Sequence, residues 1–72
     1  MRPLETEKFL NIAVQLMPDD PIVSDHYGDI LWKLDRKIQA RYFWKNVLQM
    51  KDVEKDMIKN INIKLIYGLE NS

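Results

Sequence analysis

Shifted by 34 residues against itself, this 72-residue chain repeats its pattern of apolar side chains. Phe9 falls on Phe43, Leu10 on Trp44, Ala13 on Val47, Val14 on Leu48 and Leu16 on Met50. Further along, Val23 meets Met57, Tyr27 meets Ile61, Leu31 meets Leu65 and Trp32 meets Ile66. A period of that length means a stacked supersecondary unit, because one unit cannot bury its own apolar face and must lean on a neighbour. Two periods nearly fill the chain, so the expected architecture is a single small domain.

The spacing inside each period sets the element type. Ile22, Val23, Tyr27, Ile30, Leu31 and Leu34 recur three and four apart, as do Ala40, Phe43, Trp44, Val47 and Leu48, which is the stripe of an amphipathic helix and not the alternation of a strand. Met17-Pro18-Asp19-Asp20-Pro21 is the clearest break. Residues before proline are pushed out of helical geometry, Asp20 can cap and Pro21 can take the first helical position. The pattern predicts helices over 4–17, 21–34, 37–50 and 53–69, with Asp35-Arg36 as a tight turn and Asp52 as the cap of the last helix. Gly68 and Asn71 mark its expected end. The predicted class is all-α: antiparallel helical hairpins, four helices, no strand.

Composition removes several classes of function. There is no cysteine and formal net charge is zero, which leaves no disulfide framework, no thiolate metal site and none of the basic excess that nucleic-acid binding requires. No stretch is long and apolar enough to span a bilayer, and Arg2, Glu5, Glu7 and Lys8 interrupt the start as no signal peptide would. A cytoplasmic protein is expected, binding neither nucleic acid nor membrane. Charge is divided along the chain. Residues 1–36 carry four basic and seven acidic side chains, and residues 37–72 carry seven and four, a polarity that favours end-to-end association or an acidic neighbour. His26 is the lone histidine, and zinc would want three or four converging donors. Ser24 and Ser72 have no base assembled beside them, and no glycine-rich phosphate loop is present. The expectation is a protein without catalysis, cofactor or metal. In the run Tyr42-Phe43-Trp44, helical spacing assigns Phe43 and Trp44 to the core and Tyr42 to its boundary. Interspersed Asp52, Glu54 and Asp56 break up the basic stripe from Arg41 and Lys45 through Lys51, Lys55 and Lys59.

Pro18, Gly28, Ala40 and Trp44, with the run Asp25-His26-Tyr27-Gly28-Asp29-Ile30-Leu31-Trp32-Lys33-Leu34, resemble the tetratricopeptide repeat (TPR) family, and more narrowly the closing segment of bacterial TPR proteins. The resemblance implies a right-handed α-solenoid fragment: the second helix of a partial repeat at 4–17, one complete repeat at 21–50, and a capping helix at 53–69. It implies that Gly28 permits close approach of the second helix, and that Tyr27, Leu31, Ala40 and Trp44 fill core positions. Four positions depart from the pattern. Ser24 replaces a large residue, Asp35 a turn glycine, Asp52 a terminal proline and Asn62 the packing glycine. Aspartate tolerates left-handed turn geometry, so the hairpin survives. Asn62 marks the last helix as a cap, with Lys55, Lys59, Asn62 and Lys64 as its solvated side.

By the same resemblance the function is protein–protein interaction, with ligands along a concave face. Its residues would be Ile22, Asp25, Asp29, Trp32 and Lys33, then Asp56, Lys59, Ile63, Ile66 and Tyr67 on the cap. Asp25 and Asp29 lie one turn apart and would pair with a basic peptide or protein partner while Trp32 supplies an apolar anchor. They would repel the terminal carboxylate that some TPR modules clamp. Alternatively, the two aspartates form a solvated acidic face and Trp32 packs against the cap. If Met1 is an authentic start, the first helix lacks the partner that would cover Phe9, Leu10 and Ala13. Such a strip marks an interface, either with the upstream part of a longer repeat protein or with a second copy in a homo-oligomer.

Overall fold

The structure, a computed structural model, describes residues 2–69. It is all-α: helices α1 (Pro3–Leu16), α2 (Pro21–Lys33), α3 (Lys37–Leu48) and α4 (Lys55–Tyr67), with no strand among the described residues. The repeat read from side chains is also a repeat of elements. The starts of α1 and α3 are 34 residues apart, and so are both the starts and the ends of α2 and α4.

Local chemistry explains these limits. At α2 the Asp20 carboxylate accepts from the backbone N–H groups of Ile22 (2.9 Å) and Val23 (3.2 Å), and Pro21 takes the first helical position. Those two donors would otherwise lack partners at the first turn. Between α2 and α3 the chain reverses at Asp35 (φ 63°), where the Arg36 N–H bonds back to the Leu31 carbonyl at 2.9 Å. Asp52 is the second left-handed residue, at φ 59°. It therefore belongs to the turn and is not the helix cap expected of it; α4 begins two residues after its expected start, at Lys55, behind Glu54, whose side chain makes no capping bond. All four helices stop one or two residues short of their expected ends, at Leu16, Lys33, Leu48 and Tyr67. The fraying end expected at Asn71 lies outside the described residues.

The core sits in the α2–α3 hairpin and is closed by α4. Tyr27, Leu31, Ala40, Trp44, Val47 and Ile61 are buried together, with Leu10 and Val14 of α1 and Met57 and Leu65 of α4 packed around them. Gly28 lies against Trp44 and the Ala40 carbonyl. Ser24, where a large residue was the expectation, is buried, and its hydroxyl donates to the Phe43 carbonyl at 2.8 Å. A larger side chain would have no such bond and would push the hairpin open. In the aromatic run, Trp44 is enclosed, Phe43 is half-buried with its ring 4.6 Å from that of Tyr27, and Tyr42 is exposed.

Helix α1 is fastened to this hairpin by polar contacts as well. The Tyr27 hydroxyl accepts from the Asn11 amide (2.8 Å) and donates to Glu7 (3.1 Å), while the other Glu7 oxygen lies 3.6 Å from Arg36 in the α2–α3 turn. Burial raises the Tyr27 phenol above its ordinary pKa; the Asn11 bond opposes this and the Glu7 carboxylate adds to it. No helix among the described residues is long and apolar enough to cross a membrane.

Candidate functional site

Helices α2 and α4 run alongside each other in the same direction: Ile22 shares a surface hollow with Val53 and Met57, Asp29 meets Lys64, and Trp32 meets Gly68. The acidic pair expected to face a partner is engaged within the chain. Lys64 donates to Asp25 at 2.7 Å and to both oxygens of Asp29, at 2.9 and 3.2 Å. Asp29 also accepts from the Trp44 indole at 3.1 Å. Lys64 thus leaves the solvated side assigned to it and bridges α4 to α2. Its side chain keeps only 19% exposure. Burial lowers the ammonium's pKa, but the hydrogen bonds and charges of the two aspartates outweigh this and hold it above the ordinary lysine value.

Trp32 is likewise a packing residue. Its ring stacks on Trp44 at 5.4 Å, lies against Gly68, and carries Lys37 at 4.9 Å and Arg41 at 5.9 Å over it. Around the Lys64 cluster, Asp25, Asn60, Ile63 and Gly68 line a shallow groove of about 450 Å³. Ile63, which lines it, is exposed, as are Ile22, in the neighbouring hollow that shares Met57, and Tyr67, one turn along α4 from Ile63 and 75% exposed. The structure therefore brings together Ile22, Asp25, Asp29, Ile63 and Tyr67 of the expected face. Lys33 lines a groove between α1 and α2, which Asp29 also reaches. Lys59 and Ile66 lie seven residues apart on one side of α4, and Ile66 is about 200° round the helix from Lys64. Asp56 is exposed.

A second surface lies on α1. Of the strip expected to be bare, Ala13 is buried and Leu10 half-buried, because α2 packs on that side. Only Phe9 is open, at 71% exposure, and its companions are Ile12 at 59% and Leu16 at 76%. Spacings of three and four put these three on one stripe. Beside it runs the α1–α2 groove of about 320 Å³, lined by Phe9, Leu10, His26, Ile30 and Lys33. His26 is exposed on the rim, and no group of described residues could hold a metal ion.

Two participants escaped sequence reasoning, Lys64 and Ile12. Both had a signal in the repeat: Lys64 falls on the half-buried Ile30, an inward position where a lysine needs partners, and Ile12 falls on Asn46. An isoleucine in place of asparagine on a surface position is a mark of contact. Compared with known proteins, the chain matches no family model, no curated protein and no solved structure.

Proposed function

We propose that this chain is a non-catalytic protein–protein interaction module of the TPR type, a cytoplasmic repeat segment whose last helix closes the single chain. The observation that carries the reading is the α2–α4 face, where Ile63 shares a groove with the fixed Asp25–Lys64–Asp29 cluster and Ile22 and Tyr67 are exposed on the same two helices. Apolar anchors around a few oriented polar groups are the usual composition of a peptide site. Two aspartates share one lysine there, so the cluster retains a net negative charge and favours a peptide with a basic residue between apolar ones. Asp29 and Trp32 are unsuitable for testing this, since both are part of the packing. Ile63 and Tyr67 are exposed and can be changed with little effect on the fold. In fluorescence anisotropy against a panel of apolar–basic–apolar peptides, Ile63→Asp with Tyr67→Ala should weaken the tightest binder about tenfold or more, as expected of lost anchors. Phe9→Asp should leave it unchanged. No binding across the panel, or equal binding by the double variant, would count against this face.

A second reading, homo-oligomerisation through α1, is favoured by a separate observation: Phe9, Ile12 and Leu16 form one exposed stripe. Stripes of this kind are uncommon on proteins that act alone.

A further inference from the structure

We propose that this chain docks head to tail on a second copy of itself, with Phe9, Ile12 and Leu16 of α1 packing on Ile58, Asn62 and Ile66 of α4 in the next copy. The proposal rests on the self-association reading and specifies its geometry. Its basis is the element repeat. Helix α4 has the place in its period that α2 has in the preceding one, and α1 has the place of α3. Within the chain α2 is covered by α3; on the matching side of α4, Ile61 is buried and Leu65 half-buried, and Ile58, Asn62 and Ile66 are exposed, Ile66 by 68%. Equally, α3 is covered by α2; on the matching side of α1, Ala13 is buried and Leu10 half-buried, and Phe9 and Ile12 are exposed. A shift of two periods, 68 residues, carries Pro3 of an incoming copy to place 71, so its α1 follows α4 as α3 follows α2.

Residue replacements on the two open faces match each other. Inside the chain Gly28 accommodates the large Trp44; across the docked faces Asn62 would meet Leu10, a larger side chain against a smaller one. Ser24 donates to the Phe43 carbonyl inside the chain, whereas Ile58 would meet the flank of Phe9. Asp19 and Asn46 line one surface hollow; their counterparts across the contact are Val53 and Ile12. In the last two comparisons a polar position within the chain becomes apolar across the contact, and on both sides where both residues differ. Asn62 therefore need not end the stacking as a cap would.

A contact between two different faces does not close at two copies. Sedimentation equilibrium of the 72-residue chain, up to about 1 mM, should give a mean mass that climbs past twice 8.6 kDa. Phe9→Asp alone and Ile66→Asp alone should each remain at 8.6 kDa, because each lacks one of the two faces. Mixed in equal amounts they should form one species of twice that mass, through the intact α4 of the first and the intact α1 of the second; this also proves both variants folded. Ile12→Lys in place of Phe9→Asp should behave identically. If Ile66→Asp associates as the parent does and the mixture yields no heterodimer, α1 pairs with itself: the head-to-tail geometry is wrong and self-association stands. A parent chain that stays monomeric throughout overturns both.

Discussion

Gly28 has no room for a side chain because Trp44 occupies the space. A Cβ built there would stand 2.5 Å from the indole Cδ1 and 3.1 Å from the Ala40 carbonyl oxygen. The indole cannot simply turn aside, since its Nε1 donates to Asp29 and its ring stacks on Trp32. Gly28→Ala should therefore destabilise the fold by about 2 kcal/mol or more, despite the better helix propensity of alanine. Its effect should also depend on the tryptophan. In a double-mutant cycle with Trp44→Leu, measured by urea unfolding, the alanine should cost at least about 1 kcal/mol less in the leucine background. Equal costs in the two backgrounds would mean that the Ala40 backbone, and not the indole, sets the approach. The sequence identified Gly28 as the point of close contact by its place in the repeat. Nothing in it disclosed the Asp29 bond, because Asp29 and Trp44 lie on different helices and pair only once the hairpin has closed.

At the scale of elements, α4 is held by the packing of Ile61, Met57 and Leu65 into the core and by one lysine. It begins without a side-chain cap, and its main polar tie to α2 is Lys64, set between Asp25 and Asp29. Lys64→Met removes the cation but leaves two half-buried carboxylates side by side, which should cost about 1–3 kcal/mol. Adding Asp25→Asn should restore part of that loss by removing the repulsion, as thermal unfolding would show. Alkaline pH provides a second measure. Lys64 holds its proton more tightly folded than unfolded, so its contribution is complete below its ordinary 10.5 and disappears as pH rises through the higher folded value. Tyr27 acts in the same direction, since above its ordinary 10.0 the unfolded chain gives up the phenolic proton first. Tm should fall as pH rises above the ordinary 10.0 of tyrosine and 10.5 of lysine, and the fall should be shallower in Lys64→Met; an equal fall would remove Lys64 as its source. The four helices were legible because 3.6-residue periodicity and the Asp20-Pro21 start are local properties of the chain. The start of α4 was not, since Asp52 has the composition of a cap and only the turn geometry gives it a positive φ.

The whole molecule buries few large side chains: Trp44, Leu31, Ile61 and Val47 are the largest that are fully enclosed, while Phe9, Leu16, Ile66 and Tyr67 are each more than two-thirds exposed. A chain of this size has little stability to spare, and covering the two end faces would add to it. Charge polarity along the chain pointed to end-to-end contact, but the structure spends part of it internally, Lys64 of one half being set against Asp25 and Asp29 of the other. Apolar faces are thus left to drive the docking proposed above, and such docking has a thermodynamic signature. Where docking couples to folding, each tenfold rise in concentration above the dissociation constant stabilises the folded chain by about 1.4 kcal/mol. For a domain of this length that corresponds to roughly 6 °C in Tm. The parent chain should show such a rise in scanning calorimetry, while Phe9→Asp should unfold at one temperature throughout, equal to that of the parent at high dilution. Equality at high dilution is the sensitive part of the comparison: Phe9 is exposed, so its loss should cost the isolated chain nothing, and a lower Tm there would mean that Phe9 supports the fold itself.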